Sequence, residues 1–214
     1  MQRFHYLNQM NRSKLTVVIR GETLEEAEKS AEACVKGGVK SLEVTFTIPG
    51  AHKLIEKLVS KYGHVLTGAG TVLDNETARI AILSGAKFIV SPTFNKNTAK
   101  LCNRYSIPYI PGCMTVNEIA HAMEYGVSIT KLFPGQLFAP SFIKNVKGAL
   151  PNINVMPTGG ITIDNVQSWL NAGAISVGIG GEITRPGEHG DFQQVESLAI
   201  KFLDKIEGVD FWDK

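Results

Sequence analysis

The chain has 214 residues, of which 43% are hydrophobic and 20% charged, enough apolar material for one large core. A formal charge of +2 with no Lys/Arg-rich block argues against nucleic acid as a partner. No apolar run is long enough to span a bilayer, and MQRFHYLNQMNRSK at the start lacks the continuous apolar segment of a secretory leader. Cys34, Cys102 and Cys113 are odd in number and lack CxxC spacing. They fit a reducing cytoplasm as small core residues, with a catalytic thiol as the alternative.

In chain order, the first short β-rich run is LTVVI (15–19), followed by the helical pattern TLEEAEKSAEACVKGG, whose Thr23 and Glu26 have capping-box spacing. SLEVT (41–45) and VLTGA (65–69) come next, and Asp74 fits an N-cap after them. KFIVS (87–91) and PYIP (108–111) precede the helix TVNEIAHAMEYG, where Thr115 and Glu118 form a second capping-box pair. ITKLF (129–133), INVMP (153–157) and ISVGI (175–179) complete the strands, with Asp164 as a further N-cap. The runs are short and mostly unalternating, as in parallel strands buried on both faces.

KGGVKSLEV, LSGAKFIV, EYGVSITKL and NAGAISVGI share one grammar: helix end, Gly, a small or branched residue, then a strand. Glycine there supplies a left-handed C-cap. The spacing is about one βα unit of roughly 20–24 residues. Eight such units make a (β/α)8 TIM barrel. An open doubly wound sheet uses the same grammar, but no early GxGxxG opens a helix. With no linker visible, the expectation is a single barrel domain over 1–214.

Barrel active sites lie at the C-terminal ends of the strands. The polar residues there are Arg20, Glu43, Thr45, Thr47, Thr71, Ser91, Lys131 and Thr158. Glu43 and Lys131 stand out as ionisable groups inside apolar strands, the second and sixth, which face each other across an eight-stranded barrel. A plain buried ion pair or a solvated strand edge is the alternative. A desolvated lysine can attack a ketone as the neutral amine and form a protonated Schiff base. A carboxylate such as Glu43 can move the protons that chemistry requires. No metal or other cofactor is needed, and the five histidines show neither HxH nor HExxH spacing. PTGGIT (157–162) and GIGGEIT (178–184) follow the seventh and eighth strands, where barrels often bind phosphate through backbone N–H groups. The alternative is that these are tight turns.

LEVTFT, GAGTVL, FIVSPTF, IPGCMT, TKLFPG, PTGGI and GIGG stand in an order that resembles the bacterial 2-keto-3-deoxy-6-phosphogluconate / 4-hydroxy-2-oxoglutarate aldolases, from about Leu15 to Glu182. The resemblance implies a cytoplasmic class I Schiff-base aldolase, usually a homotrimer, with Lys131 forming the imine and Glu43 as general acid/base. It puts Thr71 and Pro92 in the pyruvate pocket, with Phe133 beside the Schiff base. Thr158, Gly159, Gly160, Gly180 and Gly181 fall on the distal, phosphate-binding turns, and Arg20 at a basic position. Two places depart from the family pattern. Thr47 stands where many members have a carboxylate-binding arginine, which would leave Thr45, Thr47, Thr71, backbone amides or Arg20 to hold the carboxylate. Glu182 stands where a serine is common, and its charge disfavours a phosphate dianion unless Arg185 offsets it. A phosphate-binding barrel isomerase or epimerase, or a non-catalytic sugar-acid-binding barrel, are the other readings of the same residues.

Overall fold

The four glycines of the repeated grammar, Gly38, Gly85, Gly126 and Gly173, all have φ between +75° and +98°. After each, the following amide reaches back five residues, as Val39 N does to Cys34 O, and closes the helix in a Schellman-type turn. The chain thus leaves each of these helices directly into a strand. In the computed structural model, which describes residues 1–207, eight strands result: β1 Leu15–Ile19, β2 Ser41–Thr45, β3 Leu66–Gly70, β4 Ile89–Ser91, β5 Tyr109–Cys113, β6 Ile129–Leu132, β7 Asn154–Pro157 and β8 Val177–Ile179. The helices are α1 Gln2–Ser13, α2 Leu24–Lys36, α3 Ala51–Lys61, α4 Asn75–Leu83, α5 Lys96–Arg104, α6 Val116–Glu124, α7 Ser141–Ala149, α8 Val166–Asn171, α9 Gly181–Thr184 and α10 Phe192–Glu207. The final residues of the expected 1–214 domain lie outside the described range.

All strand pairs are parallel and neighbours follow chain order, with β1 flanked by β2 and β8. Ile175 N bonds Val155 O at 3.0 Å and Thr158 bridges to Gly178, so β7 and β8 close the ring. This is the (β/α)8 barrel, and closure rules out the open sheet. Most strand positions are buried, as two-sided cover by barrel and helices requires. Helix-facing residues form the larger core, while Leu66, Phe88, Val90, Ile110, Ile129 and Met156 form a second cluster that takes in Met10 of α1. Arg3 fastens α1 to the α5 and α6 ends through Asn103, the Gly126 carbonyl and Ser128. Among the described residues no helix is long and apolar enough to cross a membrane.

Several boundaries differ from expectation. β5 runs on to Cys113, because Gly112 and Cys113 pair with Lys131 and Leu132 despite the Pro-Gly punctuation. β4 and β8 begin later than expected: Lys87 N and Ile175 N each bond the neighbouring strand before the ladder proper. Thr23 caps α2 as expected, but the Glu26 carboxylate reaches Glu22 N rather than Thr23 N. Asp74 caps α4, and the Thr115–Glu118 box is complete. Asp164 is not an N-cap. Asn165 stands at that position without a side-chain capping bond; it accepts from Thr162 N and donates to Gly160 O, which ties the helix start to the glycine turn.

Candidate active site

β2 and β6 lie opposite each other in the ring, and from them Glu43 and Lys131 extend into the barrel. Lys131 Nζ is 3.5 Å from Glu43 Oε1, with the two side chains 6% and 1% exposed. Glu43 Oε2 is buried and has no hydrogen-bond partner among the described residues. Buried polar atoms in folded proteins are nearly always bonded, and this oxygen lies on a carboxylate beside a buried amine. The Lys131 ammonium also lies 5.1 Å from the centre of the Phe133 ring.

Phe133 borders a cleft with a cavity volume of about 230 Å³ over β7, β8 and β1. Seven of the sequence candidates line it: Arg20, Phe133, Thr158, Gly159, Gly160, Gly180 and Gly181. Glu182 and Arg185 join them. The cleft therefore carries two guanidinium groups and one carboxylate. A Cβ added at Gly181 would lie 3.3 Å from Arg185 Nη2, so that guanidinium folds back over the glycine turn. Among the described residues Glu182 forms no ion pair with either arginine.

The remaining candidates lie outside the cleft lining. Thr45 is buried and donates its hydroxyl proton to Ile19 O at 3.0 Å. Its oxygen must then accept from the exposed Thr47, 2.8 Å away. Both hydroxyl protons are therefore committed within the protein. Thr71, directly after β3, has φ 55°, a conformation unusual for a β-branched residue and of the kind that gathers at functional sites. Ser91 is buried at the end of β4 and accepts from Thr93 N. Pro92 packs its carbonyl against Gly112, the register partner of Lys131, where a side chain would collide with it. Sequence reading missed Gly112 and also Gly178, whose missing Cβ leaves room for the Thr158 hydroxyl. Their signal was glycine inside a strand pattern, which marks close approach by another group.

Cys113 ends β5, but it is 2% exposed and burial pushes its thiol up to about 12. Cys34 and Cys102 are raised to the same range by burial, which disfavours the thiolate a nucleophile requires. Among the described residues no three His, Cys, Asp or Glu side chains gather as a metal site.

Fold and site together define a (β/α)8 barrel with a buried amine–carboxylate pair beside a glycine-lined cleft. The family model described as KDPG and KHG aldolase matches residues 7–198. The chain is 33% identical over 204 residues to a 2-dehydro-3-deoxy-phosphogluconate aldolase of Treponema pallidum, covering 94% of this chain and 96% of the relative. It is also 33% identical over 176 residues to a 2-dehydro-3-deoxy-6-phosphogalactonate aldolase of Escherichia coli, covering 81% and 86%. Among solved structures, a Legionella pneumophila KDPG aldolase with pyruvate captured as a covalent carbinolamine superposes with a TM-score of 0.84 at 29% identity, over 91% of this chain and 96% of that one. The chain belongs to the KDPG and KHG aldolase family, and the enzyme is an aldolase, a carbon–carbon lyase.

Proposed function

We propose that the protein is a class I aldolase that cleaves a 4-hydroxy-2-keto acid through an imine on Lys131, with Glu43 moving the protons. The observation that carries this reading is the buried pair itself, an amine 3.5 Å from a carboxylate at the catalytic mouth of the barrel. The carbinolamine of the Legionella relative supports it. Family membership favours it over the isomerase and the non-catalytic barrel.

The Lys131 ammonium passes a proton to Glu43, the neutral amine adds to the C2 carbonyl, and the carbinolamine loses water with that proton from Glu43, leaving a protonated imine. The Glu43 carboxylate then takes the proton of the C4 hydroxyl as the C3–C4 bond breaks. The bonding pair moves into the iminium, an enamine forms and the aldehyde leaves. Glu43 returns the proton to C3, and water hydrolyses the iminium to release pyruvate and Lys131 as its ammonium, which restores the starting ion pair. On this reading 2-dehydro-3-deoxy-6-phosphogluconate gives pyruvate and glyceraldehyde 3-phosphate, and 4-hydroxy-2-oxoglutarate gives pyruvate and glyoxylate. The names of the relatives support both substrates.

Because the Thr45 and Thr47 protons are already engaged, the pyruvate carboxylate falls to Thr71 and nearby backbone amides, beside Pro92. The far end of the substrate extends past Phe133 toward Arg20, Thr158, Gly159, Gly160, Gly180 and Gly181. The chemistry calls on no metal or other cofactor, and the working form on this reading is a cytoplasmic homotrimer. Borohydride reduction in the presence of pyruvate should leave a stable adduct on Lys131 that Lys131→Ala abolishes. Absence of an adduct in the wild type would sink the imine mechanism. Glu43→Gln should still be trapped while turnover falls by about 100-fold or more, the usual scale of a lost acid/base group.

A further inference from the structure

Side chains alternate across a strand, so above Leu66 the interior face of β3 carries only Gly68 and Gly70. The two glycines are filled by different neighbours. A Cβ at Gly68 would lie 2.5 Å from the Phe88 ring, so that ring occupies the barrel at the level where Glu43, the register partner of Gly68, leaves β2. A Cβ at Gly70 would overlap Glu43 Oε1 and lie 2.5 Å from its Cγ and 2.7 Å from its Cδ. All three of the nearest atoms at Gly70 belong to the Glu43 side chain. The backbone there is held: Gly70 pairs with Thr45, and its carbonyl accepts from Phe46 N at 2.8 Å. A side chain at this position would therefore displace the flexible end of Glu43 before it moved the strand.

We infer that Gly70 is the positioning residue for the Glu43 carboxylate. Phe88 blocks the space beside Gly68, and the empty side of Gly70 receives the carboxylate at the height of Lys131. The inference rests on the acid/base reading of Glu43 given above. It goes beyond that reading by assigning the placement of the carboxylate to a residue that has no side chain of its own.

The test is a kinetic cycle of Gly70→Ala, Glu43→Asp and the double variant, each checked for folding by circular dichroism and trapped with pyruvate and borohydride. Glu43→Gln is run in parallel. Gly70→Ala should fold and still be trapped at Lys131, while kcat falls by about 30-fold or more, KM changes less than about threefold and the pH–rate profile shifts. Glu43→Asp alone should also be slow, because the shorter side chain draws the carboxylate away from Lys131. In the double variant the atom nearest the new Cβ, Oε1, is gone while the close approach at Cγ remains, so the losses should be less than multiplicative, with kcat no more than about threefold below the slower single variant. Wild-type kcat in Gly70→Ala, a loss confined to KM, or losses that simply multiply in the double variant would each overturn the inference. Failure of both Gly70→Ala and the double variant to fold would overturn it too, by making the glycine a requirement of the fold. Wild-type turnover in Glu43→Gln would instead overturn the acid/base reading beneath it.

Discussion

Lys131 and Glu43 are costly residues to bury, since each would be solvated at a surface, and breaking such a pair typically costs several kcal/mol. Both could be picked out in the sequence because an ionisable group inside a short apolar strand contradicts its surroundings. Glu182 could also be picked out, but only the fold shows what it shares space with: Arg20, Arg185 and the glycine turns. A carboxylate there repels a distal phosphate dianion in a partly solvated cleft, on the order of 1 kcal/mol. Glu182→Ser should therefore raise kcat/KM for the phosphorylated substrate about five- to tenfold, with little change for 4-hydroxy-2-oxoglutarate. Coupled pyruvate detection on both substrates measures the ratio, and an unchanged ratio would remove Glu182 from substrate selection. The Thr45–Thr47 pair was less legible. Both looked like available hydroxyls until Ile19 O, 26 residues from Thr45, was seen to claim the proton.

At the scale of elements, the sequence reported most accurately where the determining contacts are local. Thr115 with Glu118, and Asp74 with Thr77, are three residues apart, and both caps form. The Thr77 backbone N–H donates to Asp74 at 2.6 Å and holds its carboxyl below the usual aspartate range. An acid with a lowered folded-state pKa stabilises the protein fully above its unfolded pKa and loses that contribution as pH falls through the folded value. Asp74→Ala should accordingly cost about 1 kcal/mol near neutrality. The difference from wild type should shrink toward zero below the lowered pKa, as read by urea unfolding at both pH values. A difference that persists in acid would mean that packing, not the cap, is responsible. Asp164 was misassigned because two cap-type residues are adjacent and sequence offers no way to rank them. Asn165 stands at the N-cap position without a side-chain capping bond; its amide instead accepts from Thr162 N and donates to Gly160 O, the second of which an ionised aspartate could not do.

For the whole molecule, α1 is one of the helices that the sequence pattern does not announce. QRFHYLNQMNRS has a single buried residue, Met10, so it carries almost no amphipathic signal of its own. Its place depends on the barrel end that it covers, through Met10 against Leu66, Phe88, Ile129 and Met156. Met10→Ala should cost about 2–5 kcal/mol of stability, as for other buried large-to-small changes. It should leave kcat within about twofold, because the plug lies at the opposite end from Lys131; a large loss of kcat with intact stability would contradict that separation. By itself the sequence determined the number of βα units, the parallel character of the strands and the two charges that do not belong in them. Those features are written in neighbouring residues, through helix caps, left-handed glycines and β-branched runs. The tertiary structure decided that the ring closes between β7 and β8, that Nζ and Oε1 meet from positions 88 residues apart, and which side chains share the cleft. Those outcomes depend on strand register and on the space each interior glycine leaves across the barrel, and no local pattern encodes either.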